Sequence, residues 1–116
     1  MKKLFKQCAI SLANRLGPHR FTGLSSTPLL WVLMYHRILP KDDIRYDLEE
    51  PGMIVTPDTF AMHLRELKLH FDVMDLNEWL KLRETGKPLP KRACAITFDD
   101  GWQDNYEYAL PIIQQQ

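Results

Sequence analysis

Ala93-Cys94-Ala95-Ile96-Thr97-Phe98-Asp99-Asp100-Gly101 is the stretch from which the architecture can be read. Six small or apolar residues in succession are too short for a buried helix and predict an interior strand over 93–98. Two carboxylates and a glycine follow without a spacer. In parallel α/β folds the ligand site lies beyond the carboxyl ends of the strands, where loops and helix N-termini converge. Asp99 and Asp100 occupy that place. Adjacent side chains leave a strand end in different directions, so one carboxylate can meet a cation while the other accepts a proton. Gly101 lets the backbone turn directly after them. Asp-Asp-Gly alone is a weak signal, since turns and calcium loops carry it too.

Upstream, Leu29-Leu30-Trp31-Val32-Leu33-Met34-Tyr35 is bounded by Pro28 and Pro40 and predicts a first strand buried on both faces. Residues 39–54 mix charges with Pro51 and Gly52 and predict a loop. Thr56-Pro57-Asp58 signals a helix start: a hydroxyl cap, a proline at the first helical position and an acid at the positive helix end. Phe60, Leu64, Leu67 and Phe71 mark its apolar face. A short strand over Phe71–Met74 is expected next. Asp75-Leu76-Asn77-Glu78 then reads as a capping box opening a helix with Trp79 and Leu80 inward, ended by Gly86. A third helix from about Trp102 should turn Tyr106, Ala109, Leu110 and Ile113 inward, with Pro111 kinking or restarting it. Alternation of strands and helices predicts parallel βαβ units.

The 116 residues, 45% hydrophobic and 26% charged, suit one small globular domain of marginal stability. The formal net charge is zero, yet residues 1–41 hold seven basic side chains and no acid. Residues 1–28 read as a basic helical segment with Phe5, Cys8, Leu12 and Leu16 on one side. Peripheral contact with an anionic membrane surface and simple packing on the domain are both open for it. Lys6 and Gln7 interrupt any signal-peptide core, and no run approaches the ~20 apolar residues of a membrane span. A cytoplasmic or peripheral protein is expected. Cys8 and Cys94 form no disulfide framework, and Cys94 suits the core. No basic stripe with interleaved aromatics points to nucleic acid.

The string Ile96-Thr97-Phe98-Asp99-Asp100-Gly101-Trp102 resembles the first motif of the polysaccharide deacetylases, the NodB-homology family or carbohydrate esterase family 4. The resemblance extends to Leu33-Met34-Tyr35-His36-Arg37, to Val55-Thr56-Pro57-Asp58-Thr59-Phe60 and to Asp75-Leu76. It implies an α/β fold, the first strands and helices of a truncated, distorted (β/α) barrel, with 29–91 as a βαβα lead-in and 92–116 as the incomplete start of the deacetylase domain. By position Asp99 resembles the catalytic general base and Asp100 the metal ligand. The implied cofactor is a divalent metal, usually zinc. The implied partner is an acetylated polysaccharide or oligosaccharide, a surface glycan or exopolysaccharide losing N-acetyl or O-acetyl groups.

This sequence departs from the family's pattern in its histidines and in lacking the family's later arginine, aspartate, leucine-groove and histidine motifs. The family's two metal-binding histidines follow the aspartate pair, whereas the four here, His19, His36, His63 and His70, all precede it. His63 and His70 sit about 10 Å apart along one helix, too far to grip one ion, and are expected to flank a solvated face. The chain is therefore expected to be a fragment, inactive alone, and a non-catalytic remnant or glycan-binding accessory piece is the competing reading. A phospho-accepting receiver fits less well, because the first strand ends Tyr35-His36-Arg37 without the acidic pair that chemistry needs. His36 is a candidate substrate contact or a buried loop tie. Tyr35 and Trp102 are candidate sugar-stacking rings or plain core.

Overall fold

The computed structural model describes residues 27–116. The basic segment foreseen at 1–28 lies almost wholly outside the described residues. In chain order the elements are β1 (Leu29–Tyr35), β2 (Arg37–Ile38), β3 (Ile54–Val55), α1 (Pro57–His70), β4 (Asp72–Val73), α2 (Leu76–Glu84), β5 (Arg92–Phe98), a π-helical turn (Asn105–Ala109) and α3 (Leu110–Gln114). Among the described residues no helix is long and apolar enough to cross a membrane.

β5 is the centre of a parallel sheet of order β1-β5-β4. Its register with β1 runs unbroken from Leu29 opposite Arg92 to Tyr35 opposite Phe98. Ala93, Cys94 and Ala95 are wholly buried, which their small volume permits between two layers. The expected interior strand is therefore present, and the architecture is α/β with parallel pairing throughout.

Both helix starts form as their caps require. The Thr56 hydroxyl accepts from the Thr59 N–H, with Pro57 inside the first turn. The Asp75 carboxylate accepts from the N–H groups of Asn77 and Glu78 at 2.9 and 3.1 Å. On α1, Phe60 and Leu64 face the core, where they join Tyr35, Ile38 and Ala109. Phe60 meets Tyr35 edge-on, with centroids 5.0 Å apart, and Phe98 at 5.8 Å. Burying a side chain of this size contributes about 1.5–3 kcal/mol.

Four expectations need correction. β1 is not buried on both faces: Val32 and Met34 are 50% and 59% exposed, because only its Leu33 and Tyr35 side turns toward α1. The foreseen strand at 71–74 pairs only at Asp72 and Val73, since the Phe71 N–H is still bonded to Leu67 as the end of α1. The 39–54 loop closes with Ile54 and Val55 paired to Arg37 and Ile38, a two-residue ladder too short to leave a pattern. Leu80, expected inward beside the buried Trp79, is exposed.

The last helix also differs. The Leu110 N–H reaches back five residues to the Asn105 carbonyl, so the coil widens just before Pro111, which has no donor to give. The wider turn changes which side chains face inward. Ala109, Tyr108 and Ile112 pack on the core, while Tyr106 is 73% exposed.

Candidate active site

The Asp99 N–H donates to the Tyr35 carbonyl at 3.0 Å, extending the β1–β5 pairing one step past Phe98. The chain then turns through two left-handed residues, Asp100 at φ 64° and Gly101 at φ 62°. Glycine takes this conformation freely, and aspartate is among the few other residues that adopt it without severe strain. The tight turn leaves both carboxylates at the strand tip, Asp99 about one-third and Asp100 61% exposed. His36 follows β1 directly, and its Nε2 stands 3.8 Å from Asp99 Oδ2 and 3.9 Å from Asp100 Oδ2. Its carbonyl accepts from Asn105 Nδ2 at 2.9 Å, tying the β1 end to the turn after the acids.

Beside it, Arg37 is buried. Nε and one terminal nitrogen donate to Asp104 Oδ1 at 3.2 and 2.9 Å, and the other terminal nitrogen donates to Glu49 at 2.6 Å. Asp104, fully buried, uses its second oxygen to accept the Ile38 N–H at 3.1 Å. Burial opposes the Arg37 charge, but the bonds to Asp104 and Glu49 outweigh it and hold the guanidinium above arginine's ordinary range. The same guanidinium lies 4.1 Å from the centre of the Trp102 ring.

No protein-family model matches the chain. Over 91 residues it is 33% identical to the poly-beta-1,6-N-acetyl-D-glucosamine N-deacetylase of Staphylococcus epidermidis, an alignment covering 72% of this chain and 31% of the relative. Its fold superposes on the Streptococcus pyogenes deacetylase PplD, solved with acetate, with a TM-score of 0.61 and 26% identity over 77% of this chain and 39% of that one. IcaB from Ammonifex degensii gives a TM-score of 0.58 at 26% identity, over 77% of this chain and 35% of that one. The chain is thus similar to polysaccharide deacetylases over part of their length. It spans about a third of the length of these relatives. The α/β arrangement of this deacetylase-like chain accordingly agrees with the partial fold that the sequence resemblance implied.

Of the residues singled out in the sequence, Asp99, Asp100 and His36 come together on one rim. Trp102 stands beside them, 42% exposed. Tyr35 points the other way: its ring packs between Phe60 and Phe98, and its hydroxyl meets His63 Nδ1 at 3.0 Å. Burial pushes the Tyr35 phenol up, and the Cys94 thiol adds to it. That contact also corrects the expectation for His63, which is tied to the core and not to a solvated face. His70 remains on the surface, 3.9 Å from Glu66.

A divalent cation needs several donors converging at about 2.0–2.6 Å. Among the described residues no three His, Cys, Asp or Glu side chains form such a group, the ion-pair distances around His36 notwithstanding. The residues described here therefore do not fit a closed metal centre. What the sequence reading missed is the support beneath the rim, Arg37, Glu49, Asp104 and Asn105. Only the position of Arg37, next to His36 in the motif, could have drawn attention to it.

Proposed function

We propose that this chain forms the aspartate-bearing part of a glycan deacetylase centre, with Asp99 as the general base and Asp100 as a carboxylate donor to a divalent cation, zinc by family resemblance. The proposed substrate is an acetylated polysaccharide or oligosaccharide of a surface glycan or exopolysaccharide. The observation that carries the reading is the meeting of Asp99, Asp100 and His36 at the carboxyl ends of two paired parallel strands. The naming of the Staphylococcus epidermidis relative supports a β-1,6-linked N-acetylglucosamine chain.

Hydrolysis of an acetamide adds water to the carbonyl carbon and then breaks the C–N bond. Asp99, half-open at the strand tip, accepts a proton from the attacking water and can return it to the departing nitrogen, so one carboxylate balances the transfer to acetate and free amine. An acetyl ester would follow the same course with oxygen leaving. His36 stands close enough to contact the substrate or to orient the two acids. Trp102 offers a ring face to the sugar, and Tyr35 supports the rim from below.

The donor set favours a second reading as well: a glycan-binding piece without catalysis. We expect the 116-residue chain neither to hold zinc tightly nor to release acetate. The basic residues of segment 1–28 support peripheral contact with an anionic membrane surface.

An NMR titration with N-acetylated β-1,6-glucosamine tetramer, with and without zinc, tests these points. Shifts centred on His36, Asp99 and Asp100, and absent with the fully deacetylated tetramer, are expected. Shifts confined to other surfaces would overturn the assignment of the rim. Acetate release with tight one-to-one zinc binding would instead show a complete enzyme.

A further inference from the structure

The structure assigns Arg37 the task of fixing Trp102 as a stacking platform for a pyranose ring beside the aspartate pair, a role that rests on reading this rim as a glycan site. Trp102 lies two residues past Asp100, and its ring is held against the Arg37 guanidinium at 4.1 Å. Trp102 is nevertheless 42% exposed, so the contact with the arginine leaves part of the residue open to a ligand.

An aromatic face is electron-rich, and the C–H bonds on the flatter side of a pyranose present small positive charges to it. Tryptophan offers the largest such face. A sugar resting there is a neighbour of Asp99 and Asp100. Affinity for a flat, sequentially repeating ligand then depends on keeping the ring still, because an indole free to rotate loses freedom when the sugar docks.

Arg37 supplies that rigidity. Three hydrogen bonds to Asp104 and Glu49 occupy the guanidinium, and Asp104 is itself fixed by the Ile38 N–H. The planar group thus makes a rigid floor under the indole. Lysine keeps the charge but lacks the fork and the flat surface. Arg37 is a positioning residue: it touches the tryptophan and not the sugar.

The test is the N-acetylated β-1,6-glucosamine tetramer titrated into the full 116-residue chain. In the unsubstituted protein the Trp102 indole N–H and the Arg37 Nε–H should shift together, while the Trp31 and Trp79 indoles stay in place. Trp102→Ala should weaken binding about tenfold, and Trp102→Phe should restore it to within about threefold. Arg37→Lys, with its fold checked by circular dichroism, should weaken binding about as much as Trp102→Ala, and the double variant no further. Binding unchanged in Trp102→Ala overturns the platform alone. Additive losses in the double variant overturn the positioning role. If Arg37→Lys does not fold, an Arg37 Nε–H unmoved at saturation overturns that role in the unsubstituted protein. Failure of the tetramer to bind at all removes the glycan reading of the rim, and the platform with it.

Discussion

Arg37 and Asp104, 67 residues apart in the chain, form a buried pair in which one carboxylate oxygen receives two guanidinium N–H bonds and the other receives the Ile38 N–H. The pair joins the end of β1 to the segment that follows Asp99 and Asp100. Removing Asp104 leaves the buried guanidinium only its bond to Glu49 and strands the Ile38 N–H, and breaking a buried pair of this kind costs about 3–5 kcal/mol. Asp104→Ala should lose stability on that scale in urea unfolding. Replacing both together, as Arg37→Met with Asp104→Leu, should recover much of the loss, and a double variant as unstable as the single one would contradict this account.

Phe60 is fully buried against Tyr35 and Phe98, whereas Leu80 lies on the surface of α2. Phe60→Ala should cost about 3–5 kcal/mol, through lost burial and the cavity left behind. Leu80→Ala should stay within about 0.5 kcal/mol of the parent, as surface changes do. Thermal unfolding of the two variants side by side checks both.

A Cβ added at Gly101 would meet nothing within 4 Å, so only the left-handed backbone resists substitution there. Gly101→Ala should lose about 1 kcal/mol. At Asp100, also left-handed, Asn should be tolerated better than Ala, because its short polar side chain suits that conformation. Equal stability of Asp100→Asn and Asp100→Ala in chemical denaturation would count against a strained turn.

The Arg45 side chain, then the Arg45 N–H and the Tyr108 hydroxyl, hold the Asp43 carboxyl well below the usual carboxylate range, against a smaller opposing effect of burial. The unfolded value is about 3.9. Because the folded value is the lower one, the stabilisation is complete above about pH 4 and drains away as pH falls toward the folded value. The stability gap between the parent and Asp43→Asn should be constant near neutrality and narrow steadily below about pH 4. A gap that widens in acid reverses the sign and the explanation.

Some of this molecule was legible in the chain because the causes were local. Thr56 and Asp75 cap helices that begin one residue later, and Asp99 and Asp100 are bonded to the end of β5. The inward face of the last helix was not legible, since a single widened turn ahead of Pro111 changes the facing of Tyr106, Leu110 and Ile113. Nor was the role of His63, whose partner Tyr35 lies 28 residues away.

The amino-acid order alone was enough to set an interior strand with two carboxylates at its tip and the capped helices around it, because hydrophobic runs, caps and covalent adjacency act within a turn or two of chain. Bringing His36 to those carboxylates, burying Arg37 against Asp104 beneath Trp102, and leaving one side of β1 open required the folded sheet. Parallel pairing joins segments separated by a helix or more, and no local preference encodes which distant side chains will then share a strand end.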